Sequence, residues 1–219
     1  MNYWQIIETI MIFICTIIGF ICFKKMKPNY LRIFLGWMTL LSSSEIIFYF
    51  FYNHPAIVLL VSLIYCFIYF LGYLIYSYIF YKRLQHLQLF KRYLIISVIF
   101  YGIFSIYSLI FRLNERNADN DSFLILSLLL IILMLYFFWQ IISSKENIYL
   151  TKEPLFWIAT GTLFYYTGNF IATGFFHRLV LSSKEFAIML YKLNHILAIA
   201  QYILFSIAFI LSTKKTKDV

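Results

Sequence analysis

The sequence predicts an all-α membrane protein, a single bundle of seven transmembrane helices with the N-terminus outside and the C-terminus in the cytoplasm. Three observations predict it. Hydrophobic residues make up 63% of the 219-residue chain and charged residues only 12%, against about 45–50% and 25% in soluble domains, so the excess has to face lipid. The apolar residues gather into seven sustained runs near the ~20 residues that cross a bilayer. Lysine and arginine, which set orientation, collect on alternate breaks between the runs. Seven spans consume the chain and leave no soluble catalytic domain, so any chemistry or signalling falls to residues within the membrane, to short loops or to a partner.

The first run, Trp4–Phe23, has no basic residue before it, Lys24, Lys25 and Lys27 behind it, and no small-residue cleavage site. It therefore reads as a retained helix rather than a signal peptide. Tyr30–Tyr52 and Ala56–Tyr81 follow. The mixed basic and apolar segment Lys82–Arg92 is expected to continue the third helix along the inner surface. Next come Tyr93–Phe111, Phe123–Ile142, Leu155–Phe176 and Ala187–Leu211. The nearly unbroken apolar run from Phe123 to Phe138 excludes the alternation of barrel strands, and helices pair every backbone polar group within the span. Pro28, Pro55 and Pro154 all fall in breaks, so no span carries the proline sign of a kinked helix.

Lys24, Lys25, Lys27, Lys82, Arg83, Lys91, Arg92, Lys145, Lys152, Lys214, Lys215 and Lys217 fall on one side. Arg112, Arg116, Arg178 and Lys184 fall on the other. The crowded side is the cytoplasmic one, and a bacterial inner membrane is the expected location. The net charge of +9 is divided among these membrane-flanking breaks, which points to topology and anionic headgroups rather than nucleic acid. Cys15, Cys22 and Cys66 lie within spans without metal-ligand spacing and serve as apolar packing. Phosphate-loop, zinc-protease, nucleophile-elbow and paired-cysteine patterns are absent. No metal or cofactor is expected. His195 is the only histidine well inside a span, which disfavours a bis-histidine haem, and Lys192 lies too near the outer end for a retinal lysine.

The informative feature is a layer of polar residues at one depth: Glu45 in the second helix, Asn169 in the sixth, and Lys192, Asn194 and His195 in the seventh. At about 1.5 Å rise per residue, Glu45 and Asn169 lie roughly 10 Å, and His195 roughly 12 Å, below their outer ends. Glu8 approaches from above, Tyr165, Tyr166 and Thr173 flank Asn169 at helical spacing, Ser42 lies one turn from Glu45, and Gln201 shares a face with Asn194. Ionisable groups in hydrocarbon face protein or a wet cavity, so helices 2, 6 and 7 are expected to meet there. His195, Lys192 or serine hydroxyls are the expected donors to Glu45. The residues proposed for a ligand- or proton-sensing pocket are Glu45, Asn169, His195, Lys192, Asn194, Tyr166 and Ser42. Such a layer also serves simply to fasten helices, at about 0.6 kcal/mol per bond. Because the inner halves of the spans are nearly free of ionisable groups, a pocket facing outward is favoured over a conducting path.

At these residues the chain resembles a group of small seven-helix membrane proteins of Bacteroidetes-like bacteria. The resemblance rests on Ser43-Ser44-Glu45, on Pro154-Leu155-Phe156-Trp157 leading through Gly161 to Tyr165-Tyr166-Thr167-Gly168-Asn169, and on Asn194-His195-Ile196-Leu197. More distantly, the chain is similar to the seven-helix input regions of histidine kinases. The resemblance implies a sensory or regulatory module and assigns no catalytic residue. With eight residues after Leu211, an output domain is expected on a separate cytoplasmic partner, reached through the basic inner loops. Membrane lipids are the other expected partners, and self-association stays open. The alternatives are a small enzyme or transporter for a lipid or hydrophobic solute, with Glu45 and His195 as acid/base or binding groups, and a structural subunit of a membrane complex.

Overall fold

The computed structural model describes residues 3–51, 55–84, 88–112, 120–143 and 150–213. Among them are seven α-helices and no strand: α1 (Tyr3–Cys22), α2 (Asn29–Phe51), α3 (Pro55–Leu84), α4 (Gln88–Arg112), α5 (Asn120–Ser143), α6 (Pro154–Ser182) and α7 (Lys184–Leu211). Local chemistry sets several ends. Pro55 and Pro154 open α3 and α6, where a residue without an N–H loses nothing and its fixed φ favours the helix. Ser183 caps α7 by accepting from the Phe186 amide at 3.4 Å, with Glu185 in the first turn, where a negative charge suits the helix dipole.

Each helix runs antiparallel to its predecessor. Glu45 of α2 meets Tyr65 of α3, Tyr73 of α3 donates to Ser97 of α4 at 2.7 Å, and Phe138 of α5 meets Phe156 of α6. The ring closes where α7 packs along α1, and α3 touches α2, α4 and α5. The end of the bundle at which α1 begins is called here the upper end. The opposite, lower end carries Lys24, Lys25, Lys82, Arg83 and Lys152 near helix termini.

Large apolar side chains cover the outside. Ile6, Ile10, Ile14 and Ile17 form an exposed stripe along α1, and Ile95, Ile99, Ile103 and Ile106 another along α4. Serines at 97, 105 and 108 of the same α4 are buried. This inverts the pattern of a soluble protein, in which the polar residues would face outward. Five of the helices (α1, α3, α4, α5 and α7) are long and apolar enough to cross a membrane. The chain is thus a multi-pass helical membrane protein. The other two, α2 and α6, are diluted by Ser42, Ser43, Ser44 and Glu45 and by Thr160, Thr162, Thr167 and Asn169.

The lower part of the core is aromatic. Phe34 of α2 lies 5.0 Å from Phe205 of α7 and 5.7 Å from Tyr76 of α3, centroid to centroid, and Phe80 of α3 lies 4.9 Å from Phe137 of α5. All five side chains are fully buried. Edge-to-face contacts of this kind stabilise the pairs by about 0.5–1.5 kcal/mol each. They matter more in lipid, where burial itself drives no association between helices.

One expectation is corrected. Of the segment Lys82–Arg92, only Lys82–Leu84 continue α3; Gln88–Arg92 open α4. Packing supplies the reason, because Phe90 is buried and stacks on Tyr136 of α5 at 4.8 Å, a contact that places this stretch on the α4 axis.

A polar chamber between six helices

The seven-helix ring leaves a cavity of about 100 Å³ on its axis, room for roughly three waters at ~30 Å³ each. Six helices wall it. Glu8 of α1 and Glu45 of α2 contribute its carboxylates, Tyr69 of α3 and Phe123 of α5 one side, Tyr165 and Tyr166 of α6 another, and Gln201 and Tyr202 of α7 the third. Trp37 and Phe205 complete it below. Glu45 and Trp37 are eight residues apart on α2, so the chamber spans roughly 12 Å along the axis.

Two features shape it. Trp37 donates its indole N–H to the Ile68 carbonyl of α3 at 3.2 Å, and a Cβ at Gly72 would come within 2.8 Å of that nitrogen. Gly72 thus makes the niche that seats the indole against α3, where it forms a wall of the chamber. On the other side α6 and α7 approach closely. A Cβ at Gly161 would lie 3.4 Å from the Gln201 backbone, and one at Gly168 would overlap the Leu197 side chain. That close approach seats Gln201 against the chamber.

The two carboxylates have different partners. Glu8 pairs with Nδ1 of His195, whose ring also packs edge-to-face on Tyr191 at 4.4 Å. Glu45 accepts one hydrogen bond, from the Tyr65 hydroxyl at 3.1 Å, and among the described residues it has no cationic partner. His195 therefore meets α1 rather than α2, because α1 stands between α2 and α7 in the ring.

The sequence-derived residues are dispersed accordingly. Glu45 and Tyr166 line the chamber. Asn169 is buried, but its amide donates to the Tyr165 hydroxyl at 3.1 Å and accepts from Thr173 at 2.7 Å, both on α6. Ser42 is buried and returns its proton to the Thr39 carbonyl at 3.0 Å, as hydroxyls in membrane helices commonly do. Lys192 is exposed. Asn194 Oδ1 and His195 Nε2 are buried without a hydrogen-bond partner among the described residues. Helices 2, 6 and 7 do border one cavity, but α1, α3 and α5 border it too.

Tyr65 escaped the sequence reading. Its depth, nine residues below the outer end of the third apolar run, matches that of Glu45, but one tyrosine among 19 carries no signal by itself. Gln201 was visible only as a residue on the Asn194 face of α7. In the structure it is 5% exposed, faces the chamber, and its amide has no hydrogen-bond partner among the described residues.

Fold and chamber together define the class: a helical membrane protein that encloses a small polar recess with carboxylates at its upper end and aromatic walls. Comparison with protein-family models, with curated proteins and with solved structures gave no match.

Proposed function

We propose that the chain is a seven-span protein of a bacterial inner membrane and acts as a sensory or regulatory module. In this reading α1 begins outside, the basic lower end lies in the cytoplasm as the positive-inside rule requires, and the chamber opens outward. Occupancy or protonation of the chamber shifts how the helices pack, and the basic turns pass that shift to a cytoplasmic partner. One observation carries the reading: side chains from six helices meet at the chamber, so whatever binds there acts on the packing of nearly the whole bundle.

Hydrogen exchange at the lower ends of α1, α2 and α7, measured in lipid nanodiscs across a pH series, tests it. The wild type is expected to change its protection with pH or on binding a ligand. Glu45→Gln and His195→Ala are expected to abolish the change. If both variants express normally and respond as the wild type does, the sensing site is wrong.

A second reading, a transporter or enzyme for a lipid, is favoured by a separate feature. An apolar groove of about 450 Å³ runs between α3 and α4, lined by Tyr78, Leu94, Ile95 and Val98, with Lys91 among its walls. A basic residue beside an apolar slot suits an anionic phospholipid. Native mass spectrometry retaining such a lipid, with the lipid lost in Lys91→Glu, together with turnover in vesicles, would favour that reading over the sensory one.

A further inference from the structure

We infer that the chamber is a binding site for a small organic ammonium ion carrying a second polar group, of the size of ethanolammonium. The inference rests on the sensory reading for its place in the protein's work, but its physical basis is independent of it. Glu8 is already matched by His195. Glu45 is not matched by any cation among the described residues, and its one bond comes from the neutral Tyr65 hydroxyl. A bound cation at this position would hold the Glu45 carboxylate ionised within the span and supply the counter-charge that no described side chain provides.

The walls narrow the class of counter-ion. Trp37, Tyr69, Tyr165, Tyr166, Tyr202 and Phe205 surround the cavity, and aromatic faces attract organic cations through the ring quadrupole. Inorganic cations prefer a full shell of oxygens; here the described residues form no group of three or more histidine, cysteine or acidic side chains placed to hold a metal ion, and the aromatic rings take up much of the wall. The volume of about 100 Å³ admits an ion with about two or three carbons, given ~30 Å³ per water.

Gln201 provides the second, separate indication. Its side chain is buried, borders the chamber and has no hydrogen-bond partner among the described residues. The amide borders the enclosed space rather than another polar side chain, so a molecule held there can supply its partner. Gln201 lies six residues below His195 on α7, roughly 9 Å by helical rise. The ammonium group belongs at the carboxylate end and a hydroxyl belongs lower, near Gln201.

Isothermal titration calorimetry on the full chain in nanodiscs tests this with ethanolammonium, ethylammonium, ethanol and sodium as probes. Ethanolammonium is expected to bind saturably and at least about tenfold more tightly than ethylammonium, one hydrogen bond's worth at ~1.4 kcal/mol. Gln201→Leu is expected to erase that difference while retaining ethylammonium binding. Glu45→Gln is expected to weaken both ammonium ions at least tenfold, and Glu45→Asp to restore part of the loss. Equal binding of ethanol, or a preference for sodium, overturns the proposal in the wild type alone, whether or not the Glu45 variants fold. The sensory reading fails separately. If ethanolammonium binds but leaves hydrogen exchange at the lower helix ends unchanged, the ligand class stands and signalling falls; if exchange responds to pH but no ammonium ion binds, the reverse holds.

Discussion

The upper and lower parts of this bundle use the same helices to opposite ends. Below Trp37, the rings of Phe34, Tyr76, Phe205 and Phe209 fill the axis and are buried. Above it, six helices surround a space they do not fill. In the lower part each of these four rings meets another, and dispersion rewards every contact. In the upper part the side chains are polar but incompletely matched: Glu45 has one bond, Gln201 none among the described residues, and Glu8 one histidine. The difference teaches where stability and responsiveness are placed. A packed aromatic core resists change, whereas a recess bordered by unspent hydrogen-bonding groups is the part that an incoming molecule can alter.

Substitutions sharpen the contrast in a definite order, read by unfolding in mixed lipid–SDS micelles. Phe34→Ala removes the ring at the centre of the lower cluster and is expected to cost about 3 kcal/mol, the low end of large-to-small core changes because the unfolded helices remain in an apolar solvent. Gly161→Val forces α6 from the Gln201 backbone and is expected to cost about 2 kcal/mol, the range of overpacking. Glu8→Gln unpairs His195 and is expected to cost about 1–2 kcal/mol, less than a fully buried pair would, since the Glu8 side chain is 26% exposed. Gln201→Leu should change stability by no more than about 0.5 kcal/mol, because it removes no existing hydrogen bond, yet it should alter what the chamber holds. A large loss of stability in Gln201→Leu would break the contrast, for it would make the amide part of the fastening.

The architecture was largely legible in the sequence because its signal is long and repetitive. The seven runs anticipate where helices form, and Pro55 and Pro154 mark two starts to within a residue. The stretch after Leu84 was misread because basic residues at a helix end look alike whether they finish one helix or begin the next. Only the burial of Phe90 against α5 separates the two. At the site, depth was legible and rotation was not. The sequence put Glu45, Asn169 and His195 in one layer, but which helix each faces depends on the order of helices around the ring. That order sends His195 to Glu8 and leaves Asn169 bonded within α6. Lys192 shows the same gap, since a lysine near a span end has the same depth whether it points inward or, as here, outward.

The Trp37 indole, held in the Gly72 niche, has an electrical consequence. Eight residues, or roughly 12 Å by helical rise, separate it from the start of α2 at Asn29. On the proposed reading, in which the chamber opens outward, a hydrated recess that ends at the indole would carry the potential of the outer solution down to that level. The voltage across the membrane then falls mainly through the thin aromatic layer beneath. A charge arriving beside Glu45 crosses little of that drop, so its binding should hardly depend on how strongly the cell is energised.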